Sequence, residues 1–237
     1  MTDATFSIVI DDQEISARPG QTILQAADDA GLYIPRLCAH KDLVPHGSCR
    51  VCTVKVNGRP QSACTQPAAA GQVIESETDE IRGVRRAIVD MLFVEGNHLC
   101  PFCEKSGDCE LQAVAYRLGI AAPKYPFLFP KREVDASHPK IMIDHNRCVL
   151  CGRCVRASRD LDGKHVFDFV GRGIDKKVAV NSAAKLADTN IDISDKAVDV
   201  CPVGAILRKR VGYVVPVGER TYDHDPIGSK IEAARER

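Results

Sequence analysis

Cysteine is the residue that most restricts what this chain can fold into, because 11 of its 237 residues are cysteine. The N-terminus, MTDATFSIVIDDQEI, has neither the basic region nor the apolar core of a secretory signal, so we expect a protein of the reducing cytoplasm. Disulfides are rare there, and an odd number of thiols cannot all pair within one chain. The cysteines therefore predict metal sites.

Composition argues against several other classes of protein. The formal net charge is zero, which disfavours a nucleic-acid-binding protein, since such a protein needs a strongly basic face. With 44% hydrophobic and 27% charged residues, the chain is typical of folded globular proteins. Its apolar runs are far shorter than the roughly 18 residues of a membrane span, so we expect none.

Residues 1–77 predict a small α+β domain. Apolar and polar residues alternate over 5–19 around the turn-forming pair Asp11-Asp12, which indicates a β-hairpin. The further predicted elements are a helix capped by Thr22 and closed by Gly31, a strand over Cys52–Val56 that turns at Asn57-Gly58, and a strand near Gln72–Glu75.

The rest of the chain divides into four segments. Residues 78–120 predict two helices, one between Thr78 and Gly96 and one between Glu110 and Leu118, because their apolar residues recur at three- and four-residue steps. The other segments are a proline-rich linker at 121–138, a domain with the last group of cysteines at 139–208, and a cysteine-free tail at 209–237.

The tail is predicted to contact a partner protein. Its stretch Val211–Val217 is too apolar for a free linker, although the tail as a whole is charged and rich in turn-forming residues. The proline-rich segment before it is a second candidate for such a contact.

The first set of cysteines comprises Cys38, Cys49, Cys52 and Cys64, spaced C-x10-C-x2-C-x11-C. Four thiolates from one loop-rich region can hold a zinc ion or a [2Fe–2S] cluster. A zinc ribbon usually has two C-x2-C pairs and this set has one, which favours the cluster. Gly47 beside that pair lets the backbone approach an inorganic sulfide. A Rieske-type site with His40 or His46, and buried free thiols, are the alternatives.

The second set of cysteines comprises Cys100, Cys103 and Cys109. Three thiolates are an incomplete tetrahedral set, so a cluster or a zinc ion needs a fourth donor here. The nearest histidine, His98, is the predicted fourth ligand. The competing donors are Glu95, Glu104 and water.

The third set of cysteines comprises Cys148, Cys151, Cys154 and Cys201. The run C-x2-C-x2-C holds three corners of a [4Fe–4S] cluster in ferredoxins, and a distant Cys-Pro supplies the fourth in two-cluster ferredoxins. The cysteine that would serve a second cluster is replaced by Ser158. The nest of that second cluster lacks cysteines too, its positions being Ile191, Ser194 and Ala197. This pattern resembles a two-cluster ferredoxin domain that kept one cluster; zinc is the alternative.

The run HLCPFCEKSGDCELQ around the second set resembles a known family. It is similar to the [4Fe–4S] segment with one histidine and three cysteine ligands in the large iron–sulfur subunit of respiratory complex I, and in the small diaphorase subunit of NAD-reducing [NiFe]-hydrogenases. The complex I pattern has its histidine four positions before the first cysteine, where this chain has Gly96, whereas His98 stands two before. The resemblance covers residues 1 to about 208, with the three cysteine motifs in the family order, and the short remainder is more similar to the hydrogenase subunit.

The resemblance implies an α+β protein built of three iron–sulfur units. These are a β-grasp [2Fe–2S] ferredoxin domain, a helical [4Fe–4S] segment and a degenerate two-cluster ferredoxin-like domain with one [4Fe–4S] cluster. The implied ligands are the first set for the [2Fe–2S] cluster, His98 with the second set for one [4Fe–4S] cluster, and the third set for the other. All eleven thiols are then used, and none remains as a catalytic nucleophile.

The function that the resemblance implies is an electron-transfer subunit of an NAD-reducing hydrogenase, with the net reaction H2 + NAD+ ⇌ H+ + NADH. The sequence has no G-x-G-x-x-G motif between a strand and a helix, no P-loop and no glycine-rich flavin site. We therefore expect FMN and NAD on a diaphorase partner, and hydrogen chemistry on the small and large [NiFe]-hydrogenase subunits. The alternatives are a subunit of an NAD-dependent formate dehydrogenase or a short complex I-type NADH dehydrogenase, and a zinc-bound scaffold.

Four arginines flank or interleave the third set, namely Arg147, Arg153, Arg156 and Arg159. They predict one of two things. The first is a solvated basic helix face. The second is a group of cations that raise the reduction potential of the neighbouring cluster.

Overall fold

Ten strands and six α-helices lie within residues 5–182 and 185–235, the part of the chain that the computed structural model describes. The strands are β1 (Phe6–Ile10), β2 (Gln13–Ala17), β3 (Thr53–Val56), β4 (Arg59–Ser62), β5 (Val73–Glu75), β6 (Val134–Asp135), β7 (Ile141–Asp144), β8 (Phe167–Val170), β9 (Lys177–Val180) and β10 (Ile206–Arg208). The helices are α1 (Ile23–Asp29), α2 (Asp79–Val94), α3 (Glu110–Arg117), α4 (Arg153–Asp160), α5 (Lys196–Asp199) and α6 (Ser229–Glu232). Helices and strands together make a mixed α and β architecture.

The first five strands form one mixed sheet in the order β2-β1-β5-β3-β4. β1 and β5 run parallel, and the other neighbouring strands run antiparallel. Asp11 and Asp12 connect β1 to β2 with positive φ, and Asn57 and Gly58 connect β3 to β4 in the same way. Positive φ at both central residues is the requirement of a tight type I′ turn. Both predicted hairpins are confirmed.

Helix α1 covers one face of this sheet, and its start is set by the sequence. The Thr22 hydroxyl accepts a hydrogen bond from the Gln25 backbone, and the Gln25 side chain accepts one from the Thr22 backbone. This reciprocal capping box satisfies two backbone donors that the first turn leaves free. Apolar residues of α1 are buried with the inward residues of the strands in one core.

Helices α2 and α3 follow where the sequence predicts them. The Thr78 hydroxyl caps α2, and Asp79 and Glu80 lie in its first turn, where negative charge is favourable. The end of α3 is followed by Gly119 in the left-handed region, the usual position of glycine after a helix. The two helices pack against each other and share a second core with residues from all three cysteine sets.

The proline-rich linker runs along the end of α2. The backbone of Leu128 donates to the carbonyl of Val94 at 3.0 Å, and the Asn97 side chain donates to the carbonyl of Pro130 at 2.6 Å. The chain then enters a second small sheet, in which β7 lies between β10 and β6, and a β8–β9 hairpin. Helices α4 and α5 pack against each other beside these strands.

The described part of the tail folds back on its own chain. Arg117 on α3 binds Glu232 of α6, and the Tyr213 hydroxyl donates to the carbonyl of Phe102 at 2.7 Å. The backbone of Tyr222 donates to the carbonyl of Gly107 at 2.9 Å. The apolar stretch 211–217 nevertheless keeps large exposed side chains, so its contact with a partner protein stays a prediction. Among the described helices, none has the length and apolar character needed to cross a membrane.

Candidate metal centres

The β3–β4 hairpin brings two thiols of the first set together. Cys52 directly precedes β3, and Cys64 lies two residues beyond β4. The backbone of Ala63 donates to the carbonyl of Cys52 at 3.1 Å, which extends the ladder by one more hydrogen bond. The long gap between these two cysteines in the sequence is therefore the length of a hairpin, and both side chains are buried at its open end.

The other two thiols of the first set come from the loop between α1 and β3. The Cys38 backbone donates to Sγ of Cys49 at 3.3 Å. Hydrogen bonds from the thiols of Cys49 and Cys64 lower the pKa of Cys38, and one from Cys64 lowers the pKa of Cys52 to about 7. The thiol of Cys38 therefore lies close to those of Cys49 and Cys64, and the thiol of Cys52 lies close to that of Cys64, which places the four cysteines of the first set in one neighbourhood.

Gly47 enters this loop with φ of +71°. A Cβ at this position would lie 3.0 Å from the Thr65 methyl group, so a larger residue would be both strained and crowded. The geometry gives glycine two local reasons to stand here. Its approach to an inorganic sulfide stays a prediction.

The second set lies at a surface turn followed by a helix. Cys100 and Cys103 are joined by a 3-10 turn in which the Cys103 backbone donates to the Cys100 carbonyl at 3.2 Å. Cys109 stands at the start of α3, where burial raises its pKa to about 12. Leu99 precedes the turn and is 67% exposed, and Phe102 is the last residue of the turn and is 77% exposed. One side of this set therefore faces solvent through apolar side chains.

His98 is half-buried, and its Nε2 is fully buried with no hydrogen-bond partner among the described residues. Burial, helped by the positive charge of Arg147, lowers its pKa to about 4, so the ring is neutral at physiological pH. The neutral ring is the form that binds metals. The ring packs edge-on against Phe93, with the centroids 5.5 Å apart. The described contact between His98 and the second set involves the His98 backbone: the Cys100 thiol donates to the carbonyl of His98 at 3.9 Å.

The shifted histidine and Gly96 are linked by geometry. Nε2 of His98 lies 2.7 Å from the position that a Cβ on Gly96 would take. The ring thus fills the space that a side chain at position 96 would need. A histidine two residues later in the sequence reaches the neighbourhood of the position where the complex I pattern has its own.

Of the competing donors, Glu104 is already engaged. Its carboxylate binds the guanidinium of Arg147 at 2.8 Å, and the same guanidinium lies 3.6 Å from Sγ of Cys103. Glu95 is the residue that ends α2. Arg147 therefore lies over the second set, although it precedes the third set in the sequence.

The third set lines an enclosed apolar cavity. Three of its cysteines come from the turn before α4 and from the first turn of α4, and the fourth follows α5. Leu150 and Gly152 both have positive φ, which curls this turn around the cavity. The other walls are aliphatic residues of the three-stranded sheet, of the β8–β9 hairpin and of the segment after the fourth cysteine: Ile143, Ile206, Val178 and Val203.

Burial opposes ionisation of these thiols. It raises the pKa of Cys148 to about 11 and that of Cys151 to about 12, and it holds the pKa of Cys154 well above its usual value. Mutual repulsion among the four sulfurs acts in the same direction. Thiolates would be stable here only beside compensating positive charge, and iron ions are of that kind. The four donors and their dry cavity therefore fit a thiolate-bound cluster.

Two of the three residues that replace the second cluster nest are part of the core, whereas Ser194 is exposed and its hydroxyl donates to the Asp192 carboxylate at 2.6 Å. Ile191 and Ala197 pack in the same apolar group as Cys154, and Ser158 is buried. The Ser158 hydroxyl accepts a hydrogen bond from the Val166 backbone at 2.8 Å. Ser158, Ile191 and Ala197 therefore have structural roles in this domain.

Gly204 connects the second and third sets, although no motif of the sequence marks it as a functional residue. A Cβ on this residue would lie 2.9 Å from Sγ of Cys103, so glycine is needed for the close approach. The carbonyl of Pro202 also accepts a hydrogen bond from the Glu110 backbone at 2.9 Å. The only available signal was the position of Gly204, three residues after the last cysteine.

The interpretation of the four arginines as a solvated face is wrong for two of them. Arg153 and Arg156 are 2% and 5% exposed, whereas Arg159 is exposed and pairs with Asp160. Both buried arginines extend from α4 to the loop of the first set. Arg153 donates to the carbonyl of Ala39 there, and Arg156 donates to that of Cys38.

Arg153 touches segments from all three sets. Its guanidinium forms a two-pronged ion pair with Glu110, the residue after the last cysteine of the second set, at 2.6 and 2.7 Å. It also donates to the carbonyls of Ala39 and Val200, which adjoin cysteines of the first and third sets. One buried side chain therefore fixes the three sites relative to one another.

Three family descriptions match consecutive parts of the chain. Residues 3–79 match a 2Fe-2S iron-sulfur cluster binding domain, and residues 85–124 match the NADH-ubiquinone oxidoreductase-G iron-sulfur binding region. Residues 138–207 match the ferredoxin-like domain of NADH-quinone oxidoreductase subunit 3. The chain is thus an iron–sulfur protein of the complex I type, with one [2Fe–2S]-type and two further iron–sulfur domains.

Within this class of iron–sulfur proteins, subunits of NAD-reducing hydrogenases are similar to this chain over nearly its whole length. The chain is 41% identical over 227 residues to the NAD-reducing hydrogenase HoxS subunit gamma of Cupriavidus necator, covering 95% of this chain and 97% of that protein. It is 45% identical to a chain of a crystal structure of NAD+-reducing [NiFe]-hydrogenase in the H2-reduced state, with a TM-score of 0.93 and coverage of 98% and 99%. The chain belongs to the family of iron–sulfur gamma subunits of NAD-reducing hydrogenases.

A more distant relative marks the connection with respiratory enzymes. The mitochondrial 78 kDa subunit of NADH-ubiquinone oxidoreductase from Candida albicans is 33% identical over 210 residues, which cover 87% of this chain. The match spans 29% of that longer protein. The shared part is therefore the iron–sulfur region rather than the whole respiratory subunit.

Proposed function

We propose that this chain relays single electrons between an FMN- and NAD-binding diaphorase subunit and the small and large subunits of a [NiFe]-hydrogenase. The assembled complex catalyses H2 + NAD+ ⇌ H+ + NADH in the cytoplasm. The observation that carries this proposal is the likeness to subunits of NAD-reducing hydrogenases over 95% and 98% of the chain.

Three clusters form the relay in this proposal. The first set holds a [2Fe–2S] cluster, the second set with His98 holds a [4Fe–4S] cluster, and the third set holds another. The close thiols of the first set support the [2Fe–2S] assignment. The neutral imidazole of His98, with its buried Nε2, supports the histidine-ligated cluster. The apolar cavity lined by the third set supports the other [4Fe–4S] cluster. The clusters supply one-electron steps, while a flavin on the partner exchanges hydride with the nicotinamide.

The finer fold assignments belong to the same proposal. The N-terminal sheet with its helix, residues 1–77, is a β-grasp ferredoxin domain. Residues 139–208 are a two-cluster ferredoxin domain with one cluster left, which the buried Ser158, Ile191 and Ala197 support. Residues 78–120 form the helical segment between them, and 209–237 form the tail.

Purification of the intact complex tests the proposed function. The expected result is copurification with nickel, FMN, iron and acid-labile sulfide, and reduction of NAD+ by H2. Molybdenum or tungsten in place of nickel would assign the chain to a formate dehydrogenase. Zinc without acid-labile sulfide would show a scaffold and end the electron-transfer proposal.

The fourth ligand of the second cluster has its own test. We expect His98→Ala to weaken or remove the EPR signal of one [4Fe–4S] cluster while the other two signals persist. His98→Cys should keep that cluster and lower its reduction potential, because a thiolate adds negative charge. Glu104→Gln is the control for the competing carboxylate. A normal second cluster in His98→Ala, or the same loss in Glu104→Gln, would refute the assignment.

A further inference from the structure

Three arginines are buried in the described part of the chain, and two of them have a carboxylate partner. Arg85 pairs with Glu77 at 3.1 Å, and Arg153 pairs with Glu110. Arg156 forms no ion pair with a carboxylate among the described residues. The nearby carboxylate of Asp160 interacts with the charge of Arg156 but is paired directly with Arg159. A buried cation without a direct counter-charge is strongly unfavourable, so the charge of Arg156 needs an explanation.

Backbone carbonyls satisfy the hydrogen-bond donors of Arg156 but not its charge. Nη2 donates to the carbonyl of Cys38 at 2.6 Å, and Nε donates to that of Gly152 at 3.1 Å. Nη1 donates to the carbonyl of Val44, and Nη2 has a longer contact of 3.5 Å with the carbonyl of Cys151. Arginine keeps its proton in proteins, so a full positive charge remains at this place.

The position of this charge is between two candidate clusters. Cys38 belongs to the first set and Cys151 to the third, and the guanidinium binds the backbone of both. The thiols of Cys38, Cys151 and Cys64, from the same two sets, lie close enough to interact electrostatically with this guanidinium. An iron–sulfur cluster with four thiolate ligands carries net negative charge, which becomes more negative by one unit on reduction.

We propose that Arg156 is the shared counter-cation of the first and third clusters and favours the reduced state of both. This role rests on the proposed function, because it needs clusters at both sites. It makes Arg156 a positioning and tuning residue, which holds the two ligand loops together and raises two reduction potentials with one charge. Arg153 differs, since Glu110 already neutralises it.

Redox titration followed by EPR tests this role in the full chain within its complex. Arg156→Gln removes the charge, Arg156→Lys keeps the charge but loses the two-pronged donor, and Arg159→Gln removes an exposed charge from the same helix. In Arg156→Gln we expect the equilibrium constants for reduction of the first and third clusters to fall together by about tenfold, or ~59 mV for one electron, with the second cluster unchanged. Arg156→Lys should show less than half of this shift, and Arg159→Gln none.

Several outcomes would overturn the proposal. They are a shift at only one of the two clusters, no shift at all, or an equal shift in Arg156→Lys and Arg156→Gln. If Arg156→Gln and Arg156→Met both fail to hold the first and third clusters, retention of both in Arg156→Lys supports the need for charge, and loss there refutes it. Absence of the three cluster signals from the unsubstituted protein would instead refute the proposed function itself.

Discussion

The two candidate [4Fe–4S] sites adjoin each other but differ in their surroundings. Burial raises the pKa of thiols in both sets, to about 12 for Cys109 in the second and for Cys151 in the third, so the difference lies in the walls of the two sites. The third set lines a cavity with aliphatic walls. The second set lies at a surface turn, flanked by the exposed side chains of Leu99 and Phe102 and covered by Arg147. Gly204 and the backbone bond from Glu110 to Pro202 join the two sites.

This difference shows how one chain can give similar cysteine motifs different properties. Solvent exposure and nearby charge both tune the potential of an iron–sulfur cluster. Aliphatic walls around the third set exclude water from its cluster, whereas the exposed turn of the second set leaves its cluster accessible to solvent and to a partner protein. We therefore expect the third cluster to be the more durable and the second to be the more sensitive to its environment.

Replacing a ligand of the closed site should have the largest effect. Cys154→Ser removes a thiolate from the first turn of α4, where no solvent can substitute for it. We expect loss of one [4Fe–4S] cluster and a protein that unfolds much more easily, measured by iron content and thermal denaturation. Ser158→Ala, on the same helix, is the control and should keep all its iron. Full iron content in Cys154→Ser would show that this cysteine is not a ligand.

Breaking the ion pair between Arg153 and Glu110 should have the second-largest effect. Arg153→Met leaves Glu110 without its partner, and we expect a loss of about 3 kcal/mol in the free energy of unfolding, because unpaired buried charges are costly. Glu110 keeps some contact with solvent, which places the effect at the low end of the usual range. The double variant Arg153→Met, Glu110→Leu should recover part of the loss. Additive losses, measured in a double-mutant cycle by denaturant unfolding, would contradict the coupling.

The arginines also show where sequence reasoning stopped. The hairpins and the capped helices were predictable, because turn residues and cap residues are local signals, whereas the assignment of the cysteines to clusters stays a prediction. Burial of Arg153 and Arg156 was not, because it depends on how α4 packs against the loop after Cys38. Gly204 was missed for the same reason, since its close neighbour Cys103 lies far away in the sequence.

A larger residue at Gly204, where the second and third sets meet, should destabilise the protein less than loss of the ion pair and should affect the second cluster. Gly204→Ala places a methyl group 2.9 Å from Sγ of Cys103, so we expect a loss of about 2 kcal/mol and an altered EPR signal of the second cluster. The third cluster should keep its signal. Gly83→Ala is the matched control, since a Cβ there meets nothing within 4 Å in the exposed part of α2, and it should stabilise the protein slightly. An unchanged second cluster in Gly204→Ala would refute the close contact.

Exposure should also appear as a difference in rate. With a mild iron chelator and oxygen, we expect the second cluster to decay about tenfold faster than the third, because opening of a closed site requires local unfolding. EPR at successive times after mixing separates the two signals. Equal decay rates would mean that burial does not distinguish the sites.

One [2Fe–2S] and two [4Fe–4S] clusters in this one chain are the basis of the proposed function. They are tested by measuring iron and acid-labile sulfide per full-length chain, purified without oxygen and examined by Mössbauer spectroscopy. We expect about ten iron atoms and about ten sulfides per chain, in spectra of one [2Fe–2S] and two [4Fe–4S] clusters. Zinc bound to the cysteines, or iron for only one or two clusters after full reconstitution, would contradict it.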